Sequence, residues 1–369
     1  MKLAIFLVVM ILAGVAAFLF LDKSTSEILV SQVAEVFEEK LPPLPEITEM
    51  RAIYVTASTA RSARMDDLIQ LIKKTNLNSV VIDVKDENGE QLNEPIKVLV
   101  KRLRFLKIFP IARLSVFQDN GLAKKYPDLA VKSEDGLLWR DRGGRYWLNP
   151  ENKEGWNYIL KFAQEVAAAG FGEINFDYIR YPTDGYKGDV KKDVILEFSR
   201  FVKDSLKKDY PEVKLTADVF GYALLRSYDL GIGQSAPEMA QIFDEVCPMI
   251  YPSHYDSGNF NFENPADHPY EVVYETLKKG KEIFEQQGVP FTNIRPWIQD
   301  FNLGAIYTPE MVRAQIRAID DFWSGVGGLP GATTLPATLN FEENKVVAPG
   351  WMVWNPNNKY REAIFEISN

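Results

Sequence analysis

The hydrophobic and polar positions from Met50 onward alternate between short apolar runs typical of strands and longer mixed runs typical of helices. The pattern gives eight strand-then-helix units. The predicted strands are Ala52–Val55, Val80–Val84, Ile111–Phe117, Ile174–Tyr181, Leu215–Phe220, Val246–Tyr251, Ile294–Gln299 and Gly350–Trp354. The predicted helices are Met65–Thr75, Pro95–Leu106, Lys153–Ala169, Val194–Lys207, Pro237–Phe243, Tyr270–Gln287, Pro309–Trp323 and a closing helix, Tyr360–Ile367.

Strands that alternate with helices of this length indicate a parallel sheet. Eight units favour a closed (β/α)8 TIM barrel over an open doubly wound sheet. The open-sheet alternative also lacks the Gly-x-Gly-x-x-Gly phosphate loop after its first strand. The segment Gly325–Pro349, rich in Gly, Pro and Thr, fits no unit, and we interpret it as an insertion before the last strand.

The N-terminal segment predicts a membrane location. Leu3–Leu21 is an unbroken run of apolar or small residues between Lys2 and Asp22, long enough to span a bilayer. A cleaved signal peptide is the alternative, but no good small-x-small site follows the run. The sequence thus predicts three regions: an anchor or signal segment at residues 1–22, a linker with a short amphipathic helix at 23–49, and an extracytoplasmic barrel at 50–369.

Composition narrows the function classes. The chain has a globular composition, with 46% hydrophobic and 25% charged residues, and a net charge of −9 argues against nucleic acid as a partner. Cys247 is the single cysteine, and His254 and His268 are the only histidines. This excludes an intramolecular disulfide and multi-His or Cys/His metal sites, so neither metal nor cofactor is predicted.

Polar and aromatic residues gather at the predicted C-terminal ends of the strands, the face where barrels of this kind keep their chemistry. Asp86 is there too, but the Glu87-Asn88-Gly89 that follows it is typical of a turn. The candidate site residues are Asp83, Asp177, Arg180, Tyr181, Asp218, Tyr251, His254, Tyr255, Trp297, Asp300, Trp354 and Asn355.

Two of these residues suit glycoside hydrolysis, which needs one carboxylic acid and one carboxylate. Asp177 and Asp218 lie on adjacent predicted strands, so their side chains can flank one bond. Asp177 is the predicted nucleophile or base, held ionised by Arg180, and Asp218 is the predicted acid. The remaining candidates are predicted to bind substrate, with the aromatic rings stacking on sugar faces.

Five segments carry a family resemblance, and together they resemble the bacterial "putative glycosyl hydrolase domain" family from about Arg51 to the C-terminus. The resemblance implies a (β/α)8 barrel, an exported location and a carbohydrate substrate. The segment Gly325–Pro349 departs from that family's short link. The five segments are Asn175–Pro182, Thr216–Gly221, Pro248–Tyr255, Arg295–Phe301 and Gly350–Asn355.

Three functions remain open at this point. The first is a membrane-anchored, extracytoplasmic glycoside hydrolase that acts on a cell-wall or exopolysaccharide glycan. The second is a non-catalytic carbohydrate-binding barrel of the cell envelope, which the same lining would serve. The third is a structural envelope protein whose barrel presents the insertion to a partner. A metal-assisted hydrolase is disfavoured because no loop has regularly spaced acidic ligands.

Overall fold

One sheet organises the chain. The computed structural model describes residues 41–325 and 348–367. The strands of these residues are β1 (Met50–Val55), β2 (Ser79–Asp86), β3 (Gly89–Glu90), β4 (Phe109–Ser115), β5 (Glu173–Asp177), β6 (Lys214–Phe220), β7 (Glu245–Met249), β8 (Trp297–Gln299) and β9 (Gly350–Trp354). The α-helices are α1 (Ala57–Ala60), α2 (Arg64–Lys74), α3 (Glu94–Phe105), α4 (Asn120–Lys125), α5 (Lys153–Ala168), α6 (Lys192–Asp209), α7 (Ala236–Ala240), α8 (Pro269–Gln286) and α9 (Pro309–Ser324).

Eight parallel strands close into a barrel. Each pairs with the next in the order β1, β2, β4, β5, β6, β7, β8, β9, and β9 returns to β1. At the closure Met50 pairs with Gly350 and Ile53 pairs with Val353. The short β3 is an antiparallel extension of β2 outside this ring. The (β/α)8 barrel predicted from the alternation is therefore confirmed.

The helices surround the barrel because each has one apolar face. In α2 the buried residues Met65, Leu68, Ile69 and Ile72 recur at the spacing of one helical face. The prediction Pro309–Trp323 matches α9 to within one residue. There the hydroxyl oxygen of Thr308 accepts the N–H of Met311 at the start of the helix.

The inside of the barrel holds a second, smaller core that is separate from the one between strands and helices. It contains Ala52, Val81, Ile111, Cys247 and Met352, whose side chains alternate inward along their strands. Cys247 is a free, fully buried thiol.

Charged residues cluster at the N-terminal ends of β5, β6 and β7. The Arg295 guanidinium, fully buried before β8, contacts the Glu173 carboxylate and lies 3.1 Å from the Glu245 carboxylate. The ammonium of Lys214 contacts Glu245 as well. Pairing offsets the cost of burying these charges, so the floor of the barrel is ionic. Arg295 Nη2 also lies 3.8 Å from the thiol sulfur of Cys247.

Two predicted elements are shorter than expected. The fourth strand was predicted as Ile174–Tyr181, but β5 ends at Asp177 because Tyr178 has φ +52 and turns the chain out of the sheet. The closing helix Tyr360–Ile367 is wrong, since only Glu362–Ile364 forms a 3-10 turn. Further along, Ile367 forms an isolated antiparallel bridge with Thr75.

Three predictions lie wholly or mainly outside the described residues: the anchor at 3–21, the linker helix at 28–40, and the insertion at 325–349. Of the helices in 41–325 and 348–367, none is long and apolar enough to cross a membrane.

Candidate active site

A cavity of about 600 Å³ opens at the C-terminal ends of the barrel strands. Most of its walls are aromatic. The lining comprises Arg113, Asp177, Tyr178, Arg180, Asp218, Phe220, Gly221, Tyr222, Met249, Tyr251, His254, Tyr255, Trp297, Phe301, Leu303, Trp354 and Pro356.

The strand register places the two predicted catalytic carboxylates side by side in this cavity. On β5 and β6, Asn175 pairs with Thr216 and Phe176 pairs with Ala217, so Asp177 and Asp218 follow at the same level. Neighbouring strands lie about 4.8 Å apart. Phe176 and Ala217 point outward into the helical layer. Side chains alternate along a strand, so Asp177 and Asp218, which follow them, point inward.

Asp177 is ion-paired, but not with the predicted partner. Its Oδ2 accepts Arg113 Nε at 3.0 Å and also accepts Arg113 Nη2. Its Oδ1 accepts the backbone N–H of Tyr178 at 2.6 Å. Arg113 is buried on β4, the neighbouring strand, and its Nη1 donates to Asp83 at 2.7 Å. The assignment of Arg180 as the cation that pairs with Asp177 was therefore wrong.

Asp218 lies in a different environment. Its Oδ1 accepts the side-chain amide N–H of Asn175 at 2.9 Å and the indole N–H of Trp297 at 2.7 Å. Burial raises the pKa of Asp218 well above its usual range, and the nearby Asp177 charge raises it further. Arg113 and the two hydrogen bonds oppose the increase without cancelling it. The site thus holds a carboxyl group whose protonated form is favoured, beside an ion-paired carboxylate.

A hydrogen-bonded chain connects Asp218 with the ionic floor. The amide of Asn175 also donates to Thr216 Oγ1 at 3.1 Å, and Thr216 Oγ1 donates to Glu173 Oε1 at 2.7 Å. Glu173 is paired with Arg295. Because every residue of this hydrogen-bonded chain is buried, the chain fixes the orientation of Asn175 and therefore of the N–H group that Asn175 donates to Asp218.

Aromatic rings form the walls on both sides of the carboxylates. Trp354 stacks on Tyr54 with ring centroids 3.8 Å apart, and the Arg113 guanidinium lies 5.0 Å from the Trp354 ring. On the opposite wall His254 makes edge contacts with Tyr251 and Phe301. Burial lowers the pKa of His254, which favours the neutral imidazole. Flat apolar walls with few polar groups suit a ring-shaped polar ligand.

The cavity includes eight of the twelve residues predicted from strand ends. Tyr255 is among them, and its hydroxyl accepts the Thr276 hydroxyl at 3.1 Å. The other seven are Asp177, Arg180, Asp218, Tyr251, His254, Trp297 and Trp354.

The other four predicted residues do not line it. Tyr181 is fully buried in the outer core, because the chain has already left the sheet. Asp83 lies beneath the cavity, where it accepts hydrogen bonds from Arg113 and the Tyr54 hydroxyl. Asn355 donates to Asp300 at 3.2 Å, and both are part of a loop contact that also includes Arg361. Their prediction as substrate-binding residues has no support from this geometry.

Arg113 is the charged residue of the cavity that sequence reasoning missed. It lies in the apolar run Ile111–Val116, and a lone arginine inside a buried strand signals a carboxylate partner inside the fold. Asp86, which was suspected to be a turn residue, accepts the backbone N–H of Asn88 at 2.8 Å. Within the described residues, no three His, Cys, Asp or Glu side chains converge as metal ligands.

The protein is therefore a (β/α)8 barrel with a pair of carboxyl groups in an aromatic cavity at the C-terminal ends of its strands. Residues 52–326 match the family described as "Putative glycosyl hydrolase domain", and the chain belongs to that family. No curated protein matches the sequence.

Two solved structures agree with the barrel architecture. The glycoside hydrolase domain of PgaB (BpsB) from Bordetella bronchiseptica has a TM-score of 0.59 at 12% identity, over 87% of this chain and 100% of that chain. The galactosidase domain of the α-galactosidase-sucrose kinase AgaSK has a TM-score of 0.52 at 13% identity, over 86% and 39%. A hypothetical protein from Ruminiclostridium thermocellum ATCC 27405 is 33% identical over 45% of this chain and 97% of that chain, with a TM-score of 0.41.

Proposed function

We propose that the protein is a glycoside hydrolase that cleaves a glycan through carboxylate acid/base chemistry. The observation that supports this most strongly is the contrast between Asp177 and Asp218, which share one cavity. Asp177 is paired with Arg113, whereas burial and the Asp177 charge raise the pKa of Asp218. Glycosidases need this division of roles between two carboxyl groups.

Asp218 protonates the glycosidic oxygen, and Asp177 either attacks the anomeric carbon or removes a proton from the attacking water. Trp297 and Asn175 orient the acid through their donors. In the first route a glycosyl ester forms on Asp177 while the leaving group departs with the Asp218 proton. Water then hydrolyses the ester, and the Asp218 carboxylate takes a proton from that water, which restores both residues. The anomeric configuration of the product, followed by NMR, distinguishes the first route (retention) from the second (inversion).

The aromatic walls supply substrate contacts. We propose that Trp354, Tyr251 and Phe301 stack on sugar faces and that His254, as a neutral imidazole, hydrogen-bonds a hydroxyl. Their position around the carboxyl pair supports these roles. A non-catalytic carbohydrate-binding barrel would use the same walls, so the two functions differ only in what the carboxyl pair does.

The test is a screen of the protein against cell-wall and exopolysaccharide glycans, with Asp177→Asn and Asp218→Asn as variants. Asp204→Asn, an exposed position on α6, is the matched control. We expect each site variant to lose at least about 100-fold in kcat, since acid–base groups contribute on the order of 10²–10⁴, and the control to keep full activity. Full activity in both site variants would disprove the assignment. Glycan binding without turnover would identify the binding barrel instead.

We also propose that residues 3–21 hold the barrel at a membrane, outside the cytoplasm. The support is the uninterrupted apolar run of the sequence. Cell fractionation tests it: the protein is expected in the membrane fraction. Recovery from the medium with an N-terminus near Ser24 would replace the anchor with a cleaved signal.

A further inference from the structure

Arg180 is a buried cation in the wall of the cavity, close to Asp177 but not paired with it. Its side chain lies among three rings, with the guanidinium carbon 4.7 Å from the Phe220 ring, 4.9 Å from Trp147 and 5.3 Å from Tyr178. The residue is 6% exposed and lines the cavity together with Tyr178 and Phe220. These rings hold the guanidinium in a fixed orientation at the cavity surface.

Most of the donors of Arg180 are unused. Among the described residues its hydrogen bond is from Nη1 to the backbone carbonyl of Tyr181, at 3.0 Å. A guanidinium has five N–H donors. By contrast, the neighbouring Arg113 binds two carboxylates, those of Asp83 and Asp177. The two arginines of the cavity therefore differ: Arg113 is neutralised by the protein, and Arg180 is not.

A buried cation without a counter-ion is costly to maintain. Burial lowers the pKa of Arg180. The more distant carboxylates of Asp177, Asp184 and Asp141 oppose this effect without cancelling it. A purely structural role does not explain why the free donors lie at the cavity and not against a protein acceptor. An anion in the cavity would supply the missing charge and use the fork of donors bidentately.

We infer that the substrate carries an oxyanion substituent, a carboxylate, phosphate or sulfate on a sugar ring, that binds the free donors of Arg180. The inference rests on the proposed function, because it treats the cavity as the glycan site. It makes the substrate class an acidic glycan. Asp177 attracts Arg180 without forming an ion pair with it, so the Arg180 guanidinium can still bind an anionic group of the substrate next to Asp177 and Asp218.

Binding measurements on the full chain test this without requiring turnover. Matched sugars that differ only in the group at C6 are titrated by calorimetry: methyl β-D-glucoside against methyl β-D-glucuronide, glucose against glucose 6-phosphate, and glucose against glucose 6-sulfate. The three arms distinguish carboxylate, phosphate and sulfate. We expect at least one oxyanion sugar to bind roughly 10- to 100-fold more tightly than its neutral partner, as expected for charge-assisted hydrogen bonds.

Arg180→Gln removes the charge and should abolish the preference, whereas the exposed Arg317→Gln on α9 should keep it. Arg180→Lys keeps the charge but loses the fork, and should retain only part of the preference. Circular dichroism verifies folding. If Arg180→Gln does not fold, the wild-type preference and its partial reduction in Arg180→Lys decide the question.

Equal binding of neutral and oxyanion sugars by the wild type, or no binding of any oxyanion sugar, would overturn the inference. A preference that survives in a folded Arg180→Gln would do so too. These outcomes are distinct from failure of the proposed function. A protein that prefers acidic sugars but cleaves no glycan contradicts only the hydrolase, and one that cleaves only neutral glycans contradicts only the acidic substrate.

Discussion

Trp297 on β8 donates its indole N–H to the carboxyl group of Asp218 on β6, across the end of β7, at 2.7 Å. This bond stabilises the ionised form of Asp218 and so lowers its pKa, against the larger effect of burial. Trp297 is therefore more than an apolar wall, because it moderates the acidity of the residue that we assign as the proton donor.

The first prediction is that Trp297→Phe moves the alkaline limb of the pH–activity profile to higher pH. A general acid must be protonated, so activity falls as pH rises through its pKa. Removing this donor raises that pKa, because the hydrogen bond favours the ionised form of the carboxyl group. The measurement is kcat as a function of pH. Trp354→Phe, which changes another ring of the cavity without a bond to Asp218, is the control, and an equal shift in both variants would refute the role of the indole N–H.

The second prediction concerns the Asp83–Arg113–Asp177 cluster. Arg113→Met leaves two buried carboxylates without their cation, so the free energy of unfolding should fall by about 3–5 kcal/mol. Urea denaturation measures it. Arg102→Met, which breaks the exposed pair with Asp66 on the helical surface, should cost no more than about 1 kcal/mol. Similar losses in the two variants would show that the buried cluster contributes no more than a surface pair.

The third prediction is that Asp218→Asn stabilises the protein increasingly as pH rises. The pKa of Asp218 is raised in the folded state, so its contribution to stability is complete below its unfolded pKa of about 3.9 and is lost as pH rises toward the folded pKa. Asparagine does not ionise, and its oxygen can still accept the bonds from Asn175 and Trp297. Urea midpoints at several pH values from 4 to 8, compared with Asp204→Asn, test this. A difference between variant and wild type that does not change with pH would contradict the raised pKa.

The fourth prediction tests barrel closure. Gly350 has φ +102, and an added Cβ would lie 1.8 Å from the carbonyl oxygen of Met50 in the paired strand. Gly350→Ala should therefore cost about 3 kcal/mol or more, the sum of backbone strain and a clash that separates β1 from β9. Gly89→Ala is the matched control, because Gly89 also has a positive φ, +121, but a Cβ added there would have no atom within 4 Å. It should cost only the strain, about 1 kcal/mol. Equal losses in a denaturation experiment would mean that the closure is not tightly packed there.

The barrel was predictable because strand and helix periods are local properties of the sequence. All eight barrel strands occur where the apolar runs are, and β9 pairs with β1 as closure requires. The rule that C-terminal strand ends face one mouth also placed Asp177 and Asp218 together.

The errors have a physical cause in tertiary structure. Arg113 lies in an apolar run, and only the fold shows that two carboxylates converge on it. Tyr181 was placed at the mouth by extending the alternation of β5 past Asp177. The positive φ of Tyr178 breaks that alternation, and the ring of Tyr181 enters the outer core instead. The pairing of a buried ion and the exact end of a strand depend on contacts that are distant in sequence.

The pairing of Met50 with Gly350 has a consequence for how the protein is made. The two strands that close the barrel come from opposite ends of the described chain, so a ribosome must finish almost all of it before the ring can form. Until then, β1 lacks one of its two neighbours and keeps an open edge to which other strands can add. A nascent or truncated chain that ends before Gly350 is therefore open to aggregation, and chaperone contact with β1 would protect it until its last strand emerges.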